Sequence, residues 1–280
     1  MPGTLYLVAT PIGNLADITR RAIQILTDVD VIACEDTRHT RKLLQHFGIN
    51  TKTVSYHEHN EEQRARELVE QLKEGRNIAV VSDAGTPTIN DPGFRLVRAA
   101  IENEIKVVAI PGPSALITAL TAAGLSTDAF FFAGFLPSRP TARQARLREL
   151  TAIPGTLIFY EAPHRLAASL RDAREILGER QAVVARELTK LHEEIRRGRL
   201  SELAEHYSGA ESVRGEIVVL VDKTVLEKTT ASLTKNITAL VSAFEEQGLD
   251  HRAALKKAAR ELGMSRAAAY RQLLTERSRS

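Results

Sequence analysis

Three stretches of this 280-residue chain place ionisable side chains where an α/β protein does its chemistry. Tyr160-Glu161-Ala162-Pro163-His164-Arg165 leaves an apolar run and opens a helix. Arg186-Glu187-Leu188-Thr189-Lys190 leaves a second run, and Gly215-Glu216 enters a third. Carboxylates and amines held at strand ends can take up a proton or orient a substrate. The alternative is structural pairing, of Glu161 with Arg165 or of Glu187 with Arg186, and the residues alone leave both open.

A second set offers almost no side-chain chemistry, which is itself informative. Thr10-Pro11-Ile12-Gly13-Asn14 follows the first apolar run. Ser82-Asp83-Ala84-Gly85-Thr86-Pro87 follows another and continues to Asn90-Asp91-Pro92-Gly93. Pro111-Gly112-Pro113-Ser114 follows a third. Residues 85–113 hold seven Gly or Pro, where the chain average would put about three. Glycine lets a backbone approach a ligand closely, and proline fixes the loop in one shape. Rigid loops without bulk suit a planar, nucleoside-like ligand.

Familiar alternatives are disfavoured. No GxGxxG follows the first strand and no GxxxxGK[ST] occurs, so neither a common dinucleotide site nor a P-loop is expected. His57-Glu58-His59 lacks a third ligand at metal spacing, and no metal is expected there. Ser82 and Asp83 lack the Gly-x-Ser-x-Gly elbow of a hydrolase.

The elements that must carry these loops are legible from apolar periodicity. Strands are expected at 5–9, 29–34, 78–82, 106–110, 130–134, 156–160, 182–186 and 216–222. Several are apolar at nearly every position, as strands buried on both faces are. Helices are expected at 36–47, 60–73, 93–103 and 114–123, with Asp36 or Thr37, Asn60 and Ser114 as caps. This alternation predicts an α/β fold of two lobes, 1–124 and 125–225, with ligands beyond the strands' carboxyl ends. Asp222–Lys235 is polar and reads as a linker to a helical domain at 236–280, with helices at 236–247, 251–262 and 266–276. Ala259 and Gly263-Met264-Ser265 give the last two a helix-turn-helix character.

Charge is concentrated in that end. From Asp250 on, eight Lys/Arg face three acids, a net of +5 against +3 for the whole chain. Lys256, Arg260, Arg266 and Arg271 are therefore candidate nucleic-acid contacts, the alternative being a solvated helical face. Cys34 is the only cysteine and sits in an apolar run. No leader and no bilayer-spanning stretch is apparent, so no membrane association and a cytoplasmic location are expected.

On several of these stretches the chain resembles the bacterial small-subunit ribosomal RNA cytidine 2′-O-methyltransferases, within the tetrapyrrole-methylase-like class III S-adenosylmethionine enzymes. The matching residues run from Leu5 to Asp17, Glu35 to Thr40 (Glu35-Asp36-Thr37-Arg38-His39-Thr40) and Ser82 to Gly93. They continue through Pro111-Gly112-Pro113, Gly134-Phe135-Leu136-Pro137, Phe159 to Arg165 and Ala185 to Lys190. The resemblance implies two α/β lobes with S-adenosylmethionine in the cleft between them, a 16S rRNA substrate within the 30S subunit, and a homodimer. It implies cofactor contacts from Pro11, Asp83, Thr86, Pro111, Gly112 and Ser114, and more weakly from Tyr160, Leu188, Gly215 and Ile217. Glu161, Glu187 and Lys190 become the candidate catalytic groups, a lysine serving as a base only if its pKa is lowered. Arg38, Arg165 and Arg186 become candidate phosphate contacts, with Arg143 and its arginine neighbours a further one unless they form an exposed helix face.

Overall fold

The computed structural model describes residues 1–209, 213–223, 237–246 and 248–277. Most of the expected Asp222–Lys235 linker lies outside these residues. The chain divides into two compact units, Met1–Thr224 and Val225–Ser280.

The first unit contains two five-stranded sheets. One is wholly parallel: β1 (Thr4–Val8), β2 (Val31–Cys34), β3 (Thr53–Ser55), β4 (Ile78–Val81) and β5 (Lys106–Ile110) lie in the order β3-β2-β4-β1-β5. Every residue of β2 and β4 is buried, which is why these strands read as unbroken apolar runs. Helices α3 (Glu61–Lys73) and α4 (Phe94–Glu102) cover one face through Leu68, Leu72, Leu96 and Ala100. Helices α1 (Arg20–Asp28) and α2 (Thr37–His46) cover the other through Ala22, Leu26 and Leu44. Asp36 caps α2, its Oδ1 accepting from Arg38 N at 2.7 Å. Asn60 stands at the cap of α3 but accepts from His57 N instead, tying down the preceding turn.

The second sheet is mixed. It comprises β6 (Phe130–Phe135), β7 (Thr156–Glu161), β8 (Gln181–Arg186), β9 (Glu194–Arg199) and β10 (Ile217–Val221), in the order β6-β7-β10-β8-β9. Only β6 and β7 run parallel; β10 is antiparallel to both β7 and β8, and β9 to β8. Inserting β10 between β7 and β8 puts Ile217 opposite both Glu161 and Arg186. The start of β10 therefore lies level with the ends of β7 and β8. Helices α6 (Pro140–Leu150), α7 (Leu166–Leu177) and α8 (Leu200–Ser208) cover one face, around Leu147, Phe159, Leu170 and Leu203.

Helix α5 (Ala115–Ala123) follows β5 in the chain yet packs on the second sheet. Leu116, Ala119, Leu120 and Ala123 share a core with Ile158, Val183, Val218 and Leu220. Its far end is held by β9, where Arg197 donates to the carbonyls of Ala122 and Ala123 at 2.5 and 2.9 Å. A cation on the last carbonyls satisfies their unpaired oxygens and complements the helix dipole.

The second unit has α9 (Ile237–Glu246), α10 (His251–Glu261) and α11 (Arg266–Arg277) around Leu240, Val241, Leu255, Ala258, Ala259 and Leu273. Asp250 caps α10, accepting from Ala253 N at 2.7 Å, and Ser265 accepts from Ala268 N at 3.3 Å. Ala259 is buried, as a close helix crossing requires. Lys256, Arg260, Arg266 and Arg271 are all exposed. No helix among the described residues is long and apolar enough to cross a membrane.

Candidate active site

The three Gly/Pro loops meet at the carboxyl edge of the parallel sheet and are stitched together. Thr10 and Gly85 exchange backbone hydrogen bonds of 2.9 and 3.0 Å, and Thr10 Oγ1 donates to the Ser82 carbonyl at 3.1 Å. Thr86 Oγ1 donates to the carbonyl of Pro113 at 3.1 Å, joining the loop after β4 to the loop after β5. Ser114 stands at the N-terminus of α5, and its hydroxyl makes no capping bond.

Facing these loops, the ends of β7 and β8 and the start of β10 close a cavity of about 380 Å³. One side is formed by Ile12, Ala84–Thr86, Ile89–Asp91, Ser114 and Ala115; the other is formed by Phe135, Tyr160–Pro163, Leu188 and Gly215–Val218. This volume suits a ligand of nucleoside size, and the walls combine apolar surface with a few polar groups, as such sites do. Six expected cofactor residues line it: Thr86, Ser114, Tyr160, Leu188, Gly215 and Ile217. Pro11 and Asp83 instead line a second cavity, of about 320 Å³, that adjoins the first. Pro111 and Gly112 line neither. Gly112 allows the loop to sit against the first strand's end, where a Cβ would come 2.8 Å from the Cβ of Ala9.

Tyr160 is wedged edge-on against Phe132 and Phe135, with ring centroids 4.9 and 5.5 Å apart. Burial, helped by the Asp91 carboxylate, pushes its phenol up to about 12, so it remains a neutral donor. Gly215 has φ +95°, and a Cβ there would lie 2.4 Å from Cδ of Glu187. Of the five non-glycine residues with positive φ among those described, Thr88, Asn90, Glu187 and Thr189 lie in the loops around the two cavities. Strained backbone concentrated in this way marks loops that are shaped for a ligand.

The three candidate catalytic groups are all engaged. Glu161 is buried; one oxygen accepts from Ala162 N at 2.7 Å and meets the Arg165 guanidinium at 2.7 Å, and the other accepts from Ser169 Oγ. Glu187 accepts from Lys190 Nζ at 2.8 Å and Glu216 N at 3.0 Å. The Lys190 hydrogen bond, opposed by burial, holds the Glu187 carboxyl below its ordinary range. Burial alone would pull Lys190 down, but Glu187 and Glu216, the latter at 3.2 Å, outweigh it and hold its pKa above the usual lysine value. The condition for a lysine base is thus unmet, and Lys190 stands in the site as an ammonium.

The expected phosphate contacts divide. Arg38 is exposed and has no ion-pair partner among the described residues. Arg165 is held by Glu161, and Arg186 by Glu194 at 3.0 Å and by the Arg214 carbonyl at 3.2 Å. Arg143 must be corrected. It is neither an RNA contact nor part of an exposed face, because it is buried in an ion pair with Asp172 at 2.6 Å and also donates to the Ser138 carbonyl. Helical periodicity would have exposed this cue, since Arg143 shares the inner face of α6 with Leu147 and Leu150.

Sequence reasoning named no individual role for Asp91 or Asn90, which line the cofactor-sized cavity together with the strand-end Glu216. Burial, with Glu35 and Asp83 nearby, pushes the Asp91 carboxyl up to about 6. An acid whose folded pKa exceeds its unfolded value costs stability once the unfolded chain ionises, from about pH 4. That cost is complete above pH 6. Asp91→Asn should therefore leave the melting temperature unchanged near pH 3 and raise it above pH 6, as a melting series from pH 3 to 8 would register.

Comparisons with known proteins agree with this geometry. A model of the tetrapyrrole (corrin/porphyrin) methylases matches residues 4–204. Ribosomal RNA small subunit methyltransferase I of Mesorhizobium japonicum is 50% identical over 96% of this chain and 91% of its own length. The protein of that name from Escherichia coli O157:H7 is 55% identical over 79% of this chain and 78% of its own. Among solved structures, Thermus thermophilus uroporphyrin-III C-methyltransferase, complexed with S-adenosylhomocysteine, superposes with a TM-score of 0.54. It has 20% identity and covers 78% of this chain and 97% of that one, a likeness of fold.

Proposed function

Since the chain belongs to the tetrapyrrole methylase family, and within it to the ribosomal RNA small subunit methyltransferase I proteins, we propose that it methylates small-subunit ribosomal RNA using S-adenosylmethionine. The finer reading is transfer to the ribose 2′-hydroxyl of a cytidine in the decoding region of 16S rRNA, within the 30S subunit, by a homodimer. The observation that carries the cofactor reading is the cavity itself. Its walls are rigid Gly/Pro loops on one side and Tyr160, Leu188 and the glycine-started strand β10 on the other, and its volume fits the cofactor.

When bound, S-adenosylmethionine supplies a methyl group on a positive sulfur, an electrophile that needs no further activation. The residues of the chain then have to hold the hydroxyl oxygen in line and exclude water. Thr86 and Ser114 offer hydroxyls, and Ile12, Leu188 and Ile217 offer apolar walls to the donor. Lys190, fixed by Glu187 and Glu216, donates from its ammonium to the attacking oxygen and makes that hydroxyl more acidic, so that its proton is released to solvent as the new O–CH₃ bond forms and the S–CH₃ bond breaks. Glu161 acts through Arg165, holding the end of β7 and the turn into α7 in place. Lys256, Arg260, Arg266 and Arg271 are read as a second RNA contact on the helical unit.

Incubation with labelled S-adenosylmethionine and 30S subunits from a strain lacking the modification tests this. Label in 16S rRNA, at one cytidine ribose, is the expected result. Binding of the cofactor without turnover would point to a ligand-sensing regulator, and turnover without RNA to a small-molecule methyltransferase; either would replace the reading.

A further inference from the structure

The second cavity adjoins the first, and Ile12, Ala84 and Glu216 line both. Lys190 stands on its wall, and helix α2 closes one side with His39, Lys42 and Leu43. A group seated there lies next to whatever occupies the larger cavity. At about 320 Å³ it has room for one nucleotide and none for a base pair within a duplex.

The helix beside it is unlike its neighbours in charge. Between Thr37 and His46 there is no acid, while Arg38, Arg41 and Lys42 are all exposed. None of the three has an ion-pair partner among the described residues. By contrast α3 neutralises its own surface, pairing Arg64 with Glu67, Arg66 with Glu62 and Lys73 with Glu70. Positions 38, 41 and 42 fall on one side of the helix, so their cations form a single exposed patch. Lys42 belongs both to that patch and to the cavity wall.

We propose that the second cavity seats the target nucleotide of a single-stranded RNA segment, turned out of its stack, with the adjoining phosphates lying along Arg38, Arg41 and Lys42. This rests on the reading above that RNA is the substrate, and it adds where the nucleotide sits and which residues hold it. A sugar hydroxyl can reach a methyl donor enclosed between the two sheets only if its nucleotide leaves the stack. The cost of unstacking has to be offset by contacts to the extruded unit and its backbone. Apolar Leu43 and Pro11 supply the first kind, and the unpartnered cations supply the second.

Two variants test it. Arg38→Ala/Arg41→Ala/Lys42→Ala alters only exposed side chains and should leave the melting temperature unchanged. The KM for unmodified 30S subunits should rise about tenfold or more. The slope of log affinity against log salt should become shallower by about two, as expected when two to three phosphate contacts are lost. Cofactor affinity should stay within about twofold of the wild type. Leu43→Trp fills the second cavity without touching the first, and should lower kcat/KM for 30S subunits by about a hundredfold or more while cofactor affinity holds. An unchanged KM and salt slope in the triple variant would overturn the proposal. So would a loss of cofactor affinity in Leu43→Trp that matches its loss of turnover. Binding of 30S subunits measured by co-sedimentation, without turnover, separates this from the reading it rests on: wild-type protein that binds but does not methylate refutes the activity, whereas a triple variant that binds as tightly as wild type refutes the seat.

Discussion

Arg165→Met is expected to destabilise the residue 1–224 unit by about 3–5 kcal/mol, the usual cost of removing one partner from a buried ion pair. For a unit of this size that corresponds to a fall in melting temperature of about 6–20 °C. The reason lies in Glu161, whose side chain is wholly buried at the end of β7 and whose only cationic partner among the described residues is Arg165, 2.7 Å away. Methionine keeps most of the aliphatic stem and its apolar contacts but leaves the carboxylate without a counter-charge. The companion change Glu161→Gln should restore most of the loss, because an amide can still receive the Ala162 N–H and face Ser169 without carrying charge. A thermal or urea melt of the two single variants and the double variant closes the cycle. If the double variant is no more stable than Arg165→Met alone, the pair does not hold this corner of the site together. The cycle also separates anchoring from phosphate binding, since a purely RNA-facing arginine would leave the melt unmoved.

Gly215→Ala should weaken S-adenosylmethionine binding by about tenfold or more, equivalent to roughly 1.4 kcal/mol or beyond. Two effects combine at this position. With φ +95°, an alanine is forced into backbone that costs about 1–2 kcal/mol for a residue with a Cβ. That Cβ would also meet Cγ and Cδ of Glu187 at 2.5 and 2.4 Å. Glu187 cannot yield freely, because it is held by both Lys190 Nζ and Glu216 N. The wall of the cavity must therefore shift. Gly178→Ala is the control: its φ is +80°, nothing lies within 4 Å of the added carbon, and it ends α7 away from the cavity walls. It should cost stability by the strain alone and leave cofactor affinity as it is. Calorimetric titration of both variants decides the matter, and equal affinities would remove Glu187 and Gly215 from the account of the cavity wall.

Much of the fold is written in local pattern. Strands β2, β4, β7, β8 and β10 coincide within a residue or two with apolar, β-branched runs, because a strand covered on both faces has few polar positions to interrupt it; the less fully buried β1 and β5 follow their apolar runs as well. Asp36, Asp250 and Ser265 cap the helices that follow them, because a side-chain oxygen within reach of unpaired N–H groups is a short-range event. The loops 10–14, 82–93 and 111–114 could be found from Gly and Pro alone, since the backbone they require excludes most other residues. Resemblance of the same stretches to a known family then pointed to their ligand.

What the sequence by itself could not settle depends on which strands become neighbours. Strand β9 reads Glu-Ile-Arg-Arg-Gly-Arg and shows no apolar run, because it lies at the sheet edge, where charged side chains are tolerated and useful. Helix α5 reads as part of the first lobe, yet its apolar surface belongs to the second sheet. Arg143 meets Asp172 across 29 positions and Lys190 meets Glu216 across 26, contacts that no periodicity encodes. Above all, the insertion of β10 between β7 and β8 brings Gly215 and Glu216 to Glu187 and turns a candidate base, Lys190, into a fixed ammonium. Residue type and spacing determined which side chains would stand at strand ends. Only the tertiary structure decided which charges would face each other there, because pairing energy depends on distances set by strand order, and strand order is a property of the whole sheet.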